Sequence, residues 1–127
     1  MSNCELIVLE NNIHQFVFKE ANRKSIDEFA LLLEQSLANL DDDEPWLTII
    51  DMTESGMIPL RYGIKKINDV SKHYLENRPN RTLVIYAGGP IAQLGAALVN
   101  PINNMVKFVT PDQFEQGLIW LQEESVR

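Results

Sequence analysis

The feature that most constrains this chain is an alternation of two hydrophobic periods. Trp46-Leu47-Thr48-Ile49-Ile50-Asp51 and Arg81-Thr82-Leu83-Val84-Ile85-Tyr86-Ala87 are short, β-branched and nearly continuously apolar. Such runs suit central strands covered on both faces. Between them Leu60, Ile64, Ile67, Val70 (or Ser71) and Tyr74 recur at helical spacing, with Arg61, Lys65 and Lys72 on the opposite side. Pro59 stands where a first helical turn accepts it. Strand, helix and strand in that order predict a parallel pair joined by a helical crossover.

The flanking segments extend the pattern. Glu5 to Glu10 and Ile13 to Lys19 read as two strands, and Asn11-Asn12 between them suits a two-residue hairpin turn. Ser25-Ile26-Asp27-Glu28 matches a capping box. Behind it Ile26, Phe29, Ala30, Leu33, Leu37 and Leu40 form one apolar helical face, which the acidic run Asp41-Asp42-Asp43-Glu44 ends before Pro45. Beyond Ala87, Gly88-Gly89-Pro90 reads as a tight turn into a short helix, Ile91 to Val99, and Met105 to Val109 as a last strand. Thr110-Pro111-Asp112-Gln113 combines an N-cap, a first-turn proline and a third-position Gln, so a final helix follows with Phe114, Leu118 and Leu121 inward. The expected fold is a single α/β domain over 1–127. Its mixed sheet has about five strands and four helices in the order β-β-α-β-α-β-α-β-α. Its 127 residues, 45% hydrophobic and 23% charged, supply a core without disulfides.

This order, the strand ending Ile49-Ile50-Asp51 and the closing Phe108-Val109-Thr110 with Gly117-Leu118-Ile119-Trp120-Leu121 resemble the STAS/SpoIIAA-like superfamily. The resemblance implies a SpoIIAA-like sheet and a partner-binding surface on the loop Thr53 to Ile58 and the exposed face of the helix from Pro59 to Tyr74. Anti-sigma-factor antagonists of that superfamily carry an Asp-Ser-Ser-Gly phosphoacceptor motif at this helix start. Here the stretch reads Met57-Ile58-Pro59-Leu60-Arg61-Tyr62-Gly63, with no hydroxyl at the motif's position. The superfamily also resembles CRAL-TRIO-like lipid-binding folds, which implies an alternative role as a carrier of an apolar small molecule.

The chemistry-bearing side chains do not assemble into a catalytic set. Cys4 is the single cysteine, His14 and His73 have nothing at ligand spacing, and no nucleotide-binding glycine fingerprint or nucleophile elbow occurs. No enzyme activity, cofactor or metal site is therefore expected. Asp51, at a strand's carboxyl end, is read as a loop organiser that accepts hydrogen bonds from Thr53 or Ser55. Those two hydroxyls are also candidate phosphoacceptors.

Charge distribution points to a kind of partner. The total is −7, yet Arg61, Lys65, Lys66, Lys72, Arg78 and Arg81 face only Asp69 and Glu76, a local balance of +4 that leaves −11 elsewhere. A broad basic footprint is lacking, so nucleic-acid binding is not expected. The expected function is a non-enzymatic STAS-like interaction module of bacterial type, regulatory in role, that binds a protein with an acidic patch or self-associates as a homodimer. The expected contact residues are Thr53, Ser55, Met57, Ile58, Arg61, Tyr62, Lys65 and Lys72, with Trp120 a second point for a two-fold contact. Met1 to Asn12 has no basic start and no apolar run approaches the roughly 20 residues a bilayer span needs. The expected location is cytoplasmic.

Overall fold

The computed structural model describes residues 3–41, 44–56, 60–74, 78–87 and 106–123. Strands β1 (Cys4–Val8), β2 (Ile13–Phe18), β3 (Trp46–Asp51), β4 (Asn80–Ile85) and β5 (Val106–Val109) form one sheet in the order β1-β2-β3-β4-β5. β1 runs antiparallel to β2, and β2 through β5 are parallel. Helix α1 (Arg23–Ala38) joins β2 to β3, α2 (Leu60–Tyr74) lies between β3 and β4, and α3 (Phe114–Gln122) follows β5. The fold is thus the expected mixed α/β sheet. The helix expected over Ile91 to Val99 and the turn Gly88-Gly89-Pro90 lie outside the described residues.

Period-two alternation divides the core into two layers. Phe16 and Phe18 of β2, Trp46 and Ile50 of β3, and Val84 of β4 share one face with Ile26, Phe29, Leu33 and Leu37 of α1. Ile67, Val70 and Tyr74 of α2 join them partly buried. On the other face Ile13, Ile49, Leu83, Ile85 and Val109 meet Leu121, with Phe114 and Leu118 of α3 packed against them. The central strands are apolar on both sides because both sides are covered. That is the physical content of their near-continuous hydrophobicity.

Two local expectations are corrected. The hairpin loop is three residues, a 3₁₀ turn over Glu10–Asn12 closed by the Leu9 N–H donating to the Ile13 carbonyl at 2.8 Å. Only Asn12 takes a left-handed conformation, at φ 59°, which fits a tight turn followed by one left-handed residue. Helix α1 begins one turn earlier than the Ser25 capping box implies. Asn22 is its N-cap and accepts from the Ser25 N–H at 2.9 Å, an interaction of about 1 kcal/mol. Glu28 is thereby released from capping. Its Oε2 accepts the Asn3 and Cys4 N–H groups at 2.9 and 3.2 Å and ties the start of β1 to α1.

Candidate functional site

Ligands of open α/β sheets bind outside the carboxyl ends of the strands, and here that end gathers the loop after β3 and the first turns of α1 and α2. The loop is built from Asp51. Its Oδ1 accepts both the Thr53 N–H at 2.9 Å and the Thr53 hydroxyl at 2.6 Å, a side-chain turn that Asp favours. Met52 is buried in the first core layer, and its N–H donates to the Ile85 carbonyl at 2.8 Å. It therefore anchors the loop to the core. Gly56 donates to the Met52 carbonyl at 3.0 Å and takes φ 80°, a conformation that a residue with a Cβ rarely adopts. Lys19, just past β2, reaches Glu54 at 2.9 Å and closes the loop against the neighbouring strand. That hydrogen bond holds the Lys19 ammonium above its usual range.

The Thr53 hydroxyl therefore donates to a carboxylate, and the half-buried Ser55 hydroxyl donates to the Gly56 carbonyl at 2.8 Å. Met57 and Ile58, expected in the contact surface, lie outside the described residues.

Beside this loop a charged cluster bridges α1 and α2. The Tyr62 hydroxyl donates to Asp27 Oδ1 at 2.6 Å, and Lys66 Nζ stands 3.5 Å from the same oxygen. Two cations lie over the Tyr62 ring: Arg23 with Cζ at 5.0 Å and Lys66 with Nζ at 5.6 Å from its centroid. The tyrosine hydrogen bond, then the Lys66 charge, hold the Asp27 carboxyl below its usual range. The same bond raises the Tyr62 phenol. Arg61 and Lys65 are exposed alongside, one position back on the α2 surface. Asp27 is the carboxylate in direct contact with this group, through Tyr62 and Lys66.

Of the expected contact residues, the fold gathers Thr53, Ser55, Arg61, Tyr62 and Lys65 at this end. It leaves Lys72 near the other end of α2, roughly 16 Å along the axis from Arg61 at 1.5 Å per residue. Arg23, Asp27 and Lys66 were not among the expected residues. The signal for them was present as charged or aromatic pairs at i, i+4, Arg23 with Asp27 and Tyr62 with Lys66. Their meeting across two helices is a tertiary fact.

Two cations of the basic segment serve the fold itself. Arg78 donates to the Asp41 and Glu44 carbonyls. Arg81, 8% exposed, donates to the Trp120 carbonyl and lies over that indole at 4.9 Å, with Lys107 also over it at 5.2 Å. Trp120 is thus half-buried and engaged within its own chain.

Two further titratable candidates, Cys4 and His14, are held within the fold. Burial, then the nearby Glu28 and Glu5, push the Cys4 thiol up to about 12, and a protonated thiol is a poor nucleophile. His14 Nδ1 lies 3.1 Å from the Asn12 carbonyl and its ring 4.6 Å from Trp46. Burial lowers its pKa below 6.5, against the opposing pull of that hydrogen bond and Glu44. The unfolded chain thus takes up this proton first. The contribution of His14 to stability falls as pH drops through the window beneath 6.5 and is fully lost below the folded value. His14→Gln is expected to flatten the decline of the urea midpoint between about pH 7 and pH 5; parallel profiles for the two proteins would refute this. Among the described residues no group of three or more His, Cys, Asp or Glu is placed to hold a metal ion, and no helix is long and apolar enough to cross a membrane.

No family model and no curated protein matches this sequence. Among solved structures, the chain is similar to an uncharacterized protein of the DUF3478 family with a SpoIIAA-like fold from Shewanella loihica PV-4. The two share a TM-score of 0.59 and 16% identity, over 93% of this chain and 91% of that one. The chain has a SpoIIAA-like fold.

Proposed function

We propose that this chain is a non-enzymatic, STAS-like interaction module that docks an acidic protein partner at the carboxyl end of its sheet. The observation that carries the reading is the cluster around Tyr62, where Arg23 and Lys66 lie over one ring and Asp27 accepts the Tyr62 hydroxyl beside Lys66. Arg61 and Lys65 extend the positive surface outward, and the Asp51 turn with the Lys19–Glu54 pair holds the neighbouring loop in place. An aromatic plate set among cations suits recognition of carboxylates, since arginine and tyrosine dominate well-packed interface centres. The basic rim would act chiefly on association rate and salt sensitivity. The apolar-carrier alternative meets an interior that, between α1 and the sheet, is filled by Phe16 and Phe18 packed on Phe29 at 4.8 and 5.4 Å.

The test uses partners recovered from cells by the tagged protein and identified by mass spectrometry. A specific acidic partner should bind the wild type, weaken steeply as salt rises, and lose at least about tenfold in affinity to Lys65→Glu/Lys66→Glu. Undiminished binding by that variant, with its thermal transition unchanged, would rule the site out.

A further inference from the structure

We propose that two copies of this chain associate through the outer edges of β1, with a two-fold axis at Ile7, so that their sheets join into one. β1 stands at the end of the strand order and pairs with β2 alone among the described residues. The pairing fixes which backbone groups face outward. Leu9 donates to the Ile13 carbonyl and Lys19 to the Asn3 carbonyl. In an antiparallel ladder the odd-numbered residues of β1 therefore bond inward to β2, and the even-numbered ones bond outward. The Cys4 N–H is already given to Glu28. Leu6 and Val8 are left with N–H and C=O groups directed off the sheet.

Edge strands are normally blunted by lysine, proline or a bulge. Cys4-Glu5-Leu6-Ile7-Val8 has no lysine or proline, and its register against β2 is continuous. Ile7 and Val8 are instead large apolar residues left 44% and 58% exposed. A second copy fits this edge better than an unrelated strand does, because the edge complements itself. With Ile7 opposite the partner's Ile7, each Leu6 faces the partner's Val8, and all the outward donors and acceptors of those residues pair. The two isoleucines form a non-hydrogen-bonded pair, the closer kind of cross-strand contact.

Charge selects the same register. Glu5 then faces the partner's Leu9, and the two Glu5 side chains sit four residues apart along the strand, about 13 Å, beyond the roughly 8 Å screening length of physiological salt. Centring on Glu5 would oppose like charges. Centring on Leu6 would aim the Val8 carbonyls at Cys4 N–H groups already bonded to Glu28.

Sedimentation velocity across about 5–200 µM tests this, since interfaces of this kind are set by mass action. The wild type and the control Leu31→Lys, altered at an exposed apolar residue of α1, should sediment at twice 14.5 kDa at the upper concentrations. Ile7→Lys and Val8→Lys should sediment as monomers. A wild type that stays monomeric throughout overturns the proposal, and so does a dimer that persists in both folded β1 variants. If either variant fails to fold, amide exchange of the wild type decides. Leu6 and Val8 amides should be protected when concentrated and exchange freely on dilution, whereas free exchange at both concentrations overturns the dimer.

Discussion

Phe29→Ala should lower the unfolding free energy by about 3–5 kcal/mol, read as a shift in the denaturant midpoint. The side chain is 2% exposed and meets Phe16 edge-on at 4.8 Å and Phe18 at 5.4 Å. Its removal forfeits two ring–ring contacts and leaves a cavity between α1 and β2. Those neighbours have little freedom to collapse into it, because Phe16 and Phe18 are fully buried on a strand paired on both edges. Set against a typical total of 5–15 kcal/mol, the loss would leave the domain marginal. A loss below about 1 kcal/mol would mean that α1 does not pack on β2 in this way.

Gly117→Ala should destabilise by about 1–3 kcal/mol, the opposite sign to its effect in an exposed helix. Helix propensity alone favours alanine by about 1 kcal/mol. Here a Cβ would stand 2.7 Å from Leu83 Cδ1 and 3.1 Å from Cδ2. Leu83 is fully buried among Ile49, Ile85 and Leu121, so its side chain would have to shift against packed neighbours. The glycine thus sets how closely α3 approaches β4. A raised melting temperature in Gly117→Ala would show that α3 sits further from the sheet than described.

What the sequence revealed followed the range of the forces involved. β3 matches the run Trp46–Asp51 at both ends, because a strand buried on two faces writes its limits in consecutive side chains. The 3.6-residue spacing likewise located α2 and the inward face of α3. Local pattern fell short where a remote partner intervened. Ser25 and Glu28 satisfy the capping pattern locally, yet Glu28 is claimed by N–H groups 24 and 25 residues away. Trp120 lies off the Leu118 face of its helix, and nothing near it in sequence announces that Arg81, 39 residues earlier, will cover it. At the candidate site, Asp51 and Thr53 are two residues apart and legible as a turn. Asp27 and Tyr62 are 35 apart, and only the packing of α1 on α2 brings them together.

The most direct test of the docking surface is a ¹H–¹⁵N titration of the isolated protein with a soluble oligoglutamate peptide. Saturable shifts should concentrate at Arg23, Arg61, Tyr62, Lys65 and Lys66, and salt should suppress them over the roughly 8–10 Å screening range of charged surfaces. Shifts confined to Lys107 and Trp120, or spread evenly over every exposed lysine and arginine, would contradict the account.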